Sequence, residues 1–164
     1  MATGNLIAAL HSVMYPSSNP APPSETGGPV PTWLFDDATD ETVYFYFYMS
    51  DIYDGSGDID VTVPWKFATF VGSQTCDIEI SIARARDDVD SVESLSFATA
   101  QTSIETEASA TGEFKYSTIT FTNAQADSVG ADDLFVLQLT RDASGGTQGS
   151  PGDVEMSIPI VRQG

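Results

Sequence analysis

The chain is 164 residues long and carries 24 Asp and Glu against 6 Lys and Arg, a net charge of −18. The length suits one domain with a substantial core, and the charge excludes nucleic acid and anionic membranes as partners, since proteins bind both through cationic patches. Cys76 is the only cysteine, which excludes an intramolecular disulfide and a cysteine metal cluster; the only histidine, His11, lies near the N-terminus.

Residues 1–32 differ from the rest. In residues 5–13, NLIAALHSV, the residues Leu6, Ile7 and Leu10 form one apolar stripe, which predicts one or two helical turns. The apolar stretch 6–10 is too short and too little flanked by charge for a signal peptide, and no apolar run approaches a membrane span. Residues 15–31 hold Pro16, Pro20, Pro22, Pro23, Pro29 and Pro31, favour an extended conformation and cannot pack a core alone. The expectation is an anchoring arm, 1–32, pinned to a neighbouring chain rather than to its own domain. Deleting residues 1–30 should then leave the domain 33–164 folded and abolish its attachment.

From residue 33 the text changes to alternating strands and turns. Residues 31–35 read as a short edge strand. Residues 42–49, TVYFYFYM, form an aromatic strand with Val43, Phe45, Phe47 and Met49 on a core face and Tyr44, Tyr46 and Tyr48 on the other. The tyrosine face is apolar with hydroxyl tips, so it should be a covered seam, under the arm or a neighbouring subunit. Residues 59–67 alternate inward through Ile59, Val61, Val63, Trp65 and Phe67, with an edge or bulge at Pro64. Cys76, Ile78, Ile80 and Ile82 point inward, and Arg84 and Arg86 continue that parity to the rim. Residues 87–90 are a turn. Residues 95–107 should break near Gln101, and a parity slip in residues 114–122 predicts a bulge near Ser117. Residues 133–141 are apolar on both faces, as in a covered central strand. Residues 144–152 form a long, flexible Gly-rich loop, and Val154, Met156, Ile158 and Ile160 alternate inward to the end. About eight strands and no helix beyond residue 14 predict an all-β antiparallel sandwich of the jelly-roll type, with an immunoglobulin-like sandwich as the competitor.

Three segments come in a telling order. They are YFYFYMSDIYDGSGDIDVTVPWKF, then CDIEISIARARDD, then GADDLFVLQLTRD followed by a Gly-rich loop and an Asp-led strand. Over residues 33–162 this pattern resembles the single-jelly-roll virion structural proteins of tailed bacteriophages, including capsid decoration proteins, head fibres and tail appendages. Asp133, Leu134, Leu137, Arg141 and Asp142 stand where that pattern expects them. The resemblance implies a non-catalytic assembly role in the virion. The arm would contact a major capsid or other virion protein, and the chain would form a homotrimer or higher oligomer. The partner surface would comprise Leu6, Ile7, Leu10, Tyr15, Trp33, Tyr44, Tyr46 and Tyr48. The competing function is a carbohydrate-binding jelly-roll module for host glycans, with the aromatic face as a stacking platform.

No cofactor is expected. Asp51, Asp54, Asp58 and Asp60, with Gly55 and Gly57, are hard oxygen donors on one loop and are the weak candidates for Ca²⁺. Their spacing is not an EF-hand, and a hairpin turn with Asp-Gly at positive φ explains them better. Catalysis finds little support: Cys76 is inward beside Asp77, which would raise a thiol pKa, and no carboxylate pair stands out.

Overall fold

The computed structural model describes residues 5–24, 28–70, 72–86, 89–91, 94–143 and 152–164. Among these there are ten strands and no helix: β1 (Ala8–Met14), β2 (Thr32–Phe35), β3 (Glu41–Met49), β4 (Ile59–Phe67), β5 (Thr75–Ala85), β6 (Gln101–Thr106), β7 (Lys115–Phe121), β8 (Leu134–Arg141), β9 (Val154–Ser157) and β10 (Ile160–Gln163). The Gly-rich loop and the Asp87–Asp88 part of its turn fall largely outside the described residues.

The strands form two antiparallel sheets. One runs β1-β3-β8-β5-β6, and the other runs β10-β4-β9-β2 with β7 on the far side of β4. The pairs β2–β9, β3–β8, β4–β7 and β5–β6 are nested, as if one long hairpin had been rolled up. That is a jelly roll, and it fits the alternation of the sequence. Val43, Phe45, Phe47 and Met49 from one sheet pack as expected with Trp65 and Phe67 from the other, and Trp33 and Phe35 join them. The Trp33 and Phe45 rings touch edge to face at 5.0 Å. β6 begins at Gln101, where a break was expected.

Three strand details differ from expectation. β7 pairs with β4 without interruption from Lys115 to Phe121, so there is no bulge at Ser117. Ser117 points inward because Trp65 needs a partner: the buried indole Nε1–H donates to Ser117 Oγ at 2.7 Å. Ser117→Ala strands that donor, a loss of about 1–3 kcal/mol. Melting should show it, and the loss should shrink in a Trp65→Phe background; an equal loss there would refute the pairing. Pro64 lies in a central strand, but the strand beside it breaks opposite. β9 covers Trp65 to Phe67, β10 covers Ile59 to Thr62, and the gap between them faces the missing donor. Across this break the inward parity shifts, so Val161 is buried and Ile160 is only half-buried.

The arm is the main correction. Residues 8–14 are not helical; they form an edge strand, β1, beside β3. Residues 5–7 pair instead with β10: Ile7 N–H donates to Val161 O, and Gln163 N–H donates to Asn5 O. The chain then returns along both sheets. Thr42 exchanges bonds with Asn19 and Ala21, and Ser24 and Leu34 bond across to Thr32 and Pro22. The arm thus laces the open side of the sandwich, where β3, β2 and β10 would otherwise expose unpaired edges. Ile7 and Ala21 are fully buried in the chain's own core.

Candidate functional site

The outer face of the five-stranded sheet carries the tyrosines. Its rows follow from register: Tyr48, Leu134 and Ala85 lie side by side, then Tyr46, Val136 and Ala83, then Tyr44, Gln138 and Ser81. β1 adds Ala9, Ser12 and Met14 opposite Tyr48, Tyr46 and Tyr44. The arm therefore lies beside the tyrosines in the plane of the sheet, not over them. Tyr48 is 48% exposed, and Tyr46 and Tyr44 are half-buried. The seam expected to be covered is open at Tyr48, whereas beside Tyr46 and Tyr44 the outward side chains Val136, Ala83 and Ser81 are buried, so the middle of this face is covered.

Neighbours hold the rings in place. A register shift between Leu10 and Ser12 makes β1 bulge at His11, whose ring meets Tyr48 edge-on at 5.2 Å. Phe97 stacks on Tyr44 with ring centroids 5.7 Å apart. Phe97 follows β5, two strands from β3, so its segment reaches over the sheet to make that contact. Beside Tyr44, Ser81 Oγ donates to Gln138 Oε1 at 3.3 Å. The result is a row of three tyrosines, covered by Phe97 at Tyr44 and exposed at Tyr48.

The other expected partner residues divide. Leu6, Leu10 and Tyr15 are exposed along the arm. Ile7 and Trp33 are buried in the chain's own core, so they are not free for a partner; the Trp33 indole N–H donates to Tyr15 Oη at 3.0 Å. Tyr53 is also buried. Its hydroxyl donates to Gly57 O and accepts from Asn123 Nδ2, tying two loops together, and burial pushes its pKa up.

The four aspartates nominated for Ca²⁺ do not converge. Asp54 Oδ1 accepts from Ser56 N, Ser56 Oγ and Gly57 N, and the Ser56 and Gly57 backbone bonds lower its pKa. Asp60 accepts from Thr120 Oγ1 at 2.6 Å. Gly55 has φ of +74°, a backbone conformation that favours glycine, so the loop is a turn built around that residue. At the other end of β3, Asp36, Asp37 and Asp153 bring carboxylate oxygens within 4.8 Å of one another, a grouping the linear spacing does not reveal.

Cys76 is fully buried, and burial first, then Asp77, pushes its thiol up to about 12 against the pull of Arg141, so no thiolate nucleophile exists there. A cleft of about 660 Å³ opens beside Arg84, Arg86, Asp90, Asp127 and Ser128. Its cations are already engaged: Arg84 Nε pairs with Asp133 at 2.6 Å, and Arg86 forks onto Asp90, whose carboxyl these bonds lower to about 2.

The fold defines the chain as an all-β jelly-roll sandwich, with Tyr48 exposed at the arm side of its five-stranded sheet. No protein-family model matches it, and no characterised protein does. Among solved structures it is similar to a CBM35 from Paenibacillus barcinonensis, at 15% identity and TM-score 0.48, over 99% of this chain and 94% of that one. It is also similar to TmCBM61 in complex with β-1,4-galactotriose, at 12% identity and TM-score 0.38, over 96% and 87% of the two chains.

Proposed function

We propose that the chain is a non-catalytic recognition domain that holds a neutral glycan against the outer face of the five-stranded sheet. The observation that carries this reading is Tyr48, 48% exposed and met edge-on by His11, with the half-buried Tyr46 next to it on the same face. Two residues along a strand put the rings about 7 Å apart on a nearly flat surface. A pyranose ring offers a C–H face to such a ring and its hydroxyls to the tyrosine hydroxyls. A net charge of −18 repels uronates and sulfated sugars, which leaves neutral glycans as the matching class. A glycan array should show retention of neutral oligosaccharides alone. Each of Tyr46→Ala and Tyr48→Ala should weaken binding three- to tenfold, about 0.5–1.5 kcal/mol per ring. The reading fails if no neutral glycan is held or if both variants bind as well as the parent.

A structural role on a virus particle is the second reading. It has the resemblance of residues 33–162 behind it, and the apolar residues left exposed on the arm favour it. Binding of the purified chain to particles that lack it tests this role separately from any glycan.

A further inference from the structure

We propose that the cleft at the end of the sandwich, between the segment after β5 and the connection from β7 to β8, is a separate binding site for a neutral, hydroxyl-rich molecule of sugar size. Arg84 and Arg86 continue the inward parity of β5 past the core to this end, and Asp127 and Ser128 form the opposite wall. The space is about 660 Å³, within the span of about 300–1,000 Å³ usual for small-ligand sites. Both walls are held. Asp127 and Ser128 have φ of +56° and +55°, a conformation that few residues other than glycine adopt. Arg84 N–H donates to Asp127 Oδ2 and Ser128 N–H to Asn123 O, both at 2.8 Å, and these bonds fix the pair. On the other side Asp90 N–H donates to Arg86 O, Ser94 N–H to Ser91 O, and Ala98 N–H ties the segment to Ile82 O. A left-handed backbone kept rigid along a cleft wall points to a site rather than a solvent gap.

The lining names the ligand class. Among the described residues it holds four serines, Ser91, Ser94, Ser96 and Ser128, whose hydroxyls both donate and accept. Its two guanidiniums are matched by carboxylates, Arg84 by Asp133 and Arg86 by Asp90. The cleft therefore offers no spare positive charge to an anion, and the net charge of −18 repels one. Asp90 and Asp133 are matched in the same pairs, so a cation gains little either. Val89, 63% exposed, and the half-buried Leu95 supply apolar contact. A pyranose ring fits this mixture, with hydroxyls for the serines and C–H groups for Val89 and Leu95. Its hydroxyls exchange bonds to water for bonds to protein, so the affinity is modest. Among the described residues no aromatic ring lines the cleft. It thus differs in kind from the tyrosine face and does not depend on it.

Titration of the full chain, followed through its backbone ¹H–¹⁵N signals, tests the site. The probes are D-glucose, D-galactose and D-mannose, their methyl glycosides, and D-glucuronate, from micromolar to high millimolar concentration. The expected result is that at least one neutral probe shifts the signals of Arg84, Arg86, Ser94, Ser96, Asp127 and Ser128, and that D-glucuronate does not. Binding of the methyl glycoside as well assigns the site to a glycan end, and binding of the free sugar alone assigns it to a free sugar. The signals of Tyr46 and Tyr48 report the tyrosine face in the same titration, so either site can fail alone. Ser94→Trp, which puts a large side chain into the cleft from an exposed position, should weaken binding at least about tenfold. Ser128→Gly suits the positive φ, removes one hydroxyl and should weaken it about two- to tenfold. No shift with any probe, shifts confined to other residues, D-glucuronate bound as tightly as the neutral probes, or both variants binding as the parent does would each overturn the proposal.

Discussion

Removing residues 1–24 should lower the melting temperature by more than about 15 °C, or abolish the cooperative transition. The expectation from composition alone is the reverse, that the domain survives without its arm. The structure gives the arm three roles that water cannot replace. Ile7 is fully buried, and emptying its site costs about 2–5 kcal/mol by itself. Ala8 and Ala21 are buried with it. Removal also strips partners from Val161, Thr42, Thr32, Leu34 and the whole outer edge of β3. Together these exceed about 5 kcal/mol, a large share of the 5–15 kcal/mol that holds a domain folded. At about 2–4 °C per kcal/mol for a chain of this size, the melting point falls accordingly. Ile7→Ala alone should cost about 5–15 °C, while Leu6→Ala, one residue away and exposed, should cost almost nothing. Equal losses for the two variants would mean that residues 5–7 do not sit between the sheets. A truncated chain that melts like the full one would return the arm to the status of a detachable anchor.

Most of the sandwich was legible because period-two alternation survives wherever one face of a strand is buried. Phe45, Phe47, Trp65, Ile78 and Ile80 are where parity puts them. The arm was illegible for a definite reason. The extra residue at His11 breaks the alternation of β1, and what remains, Leu6, Ile7 and Leu10, matches helical spacing instead. Long-range polar pairing was equally hidden. Arg141 is fully buried and donates to the carbonyl of Phe35, 106 residues away. Glu155 is buried against Lys66 at 3.0 Å and accepts from Thr32, though it reads as an outward residue. Ser117 looked like a parity slip because its partner, Trp65, lies on another strand. Of the candidate site, the sequence shows which residues share a face. It does not show whether that face is open, because this depends on the arm lying beside Tyr44, Tyr46 and Tyr48, and on Phe97 reaching over one of them.

Salt and mild acid should stabilise this protein together. With 24 acids against 6 bases, the folded surface carries a large excess of like charge. A like pair about 10 Å apart in water costs about 0.4 kcal/mol, so a dozen such neighbours come to about 5 kcal/mol. Raising ionic strength from about 0.01 M to about 1 M shortens the screening length from about 30 Å to about 3 Å. The melting temperature should then rise by about 10–20 °C. Four acids set the shape in pH. Burial is the main cause raising Glu79, helped by Asp142, Asp40 and Asp77; burial also leads for Glu41, with Asp36 and Asp153 adding to it. The folded chain therefore holds more protons at these sites than the unfolded chain does above the ordinary value of 4.5. Stability at these sites grows as pH falls through the raised values and is complete below 4.5. Asp54 and Asp90 act oppositely. Their folded values lie below the ordinary 3.8, Asp90 at about 2, so their contribution is present above 3.8 and is lost as pH falls through the folded values. The two trends place the stability maximum at about pH 4–5 in dilute salt, below the usual pH 5–8. Molar salt should flatten the rise from neutral pH to that maximum. Glu79→Gln should raise the melting point at neutral pH by under about 1 kcal/mol equivalent, since solvent screens a half-exposed group, and should have no such effect at pH 4. A melting temperature that peaks at neutral pH, or that stays level between dilute and molar salt, would show that the acidic surface does not oppose folding.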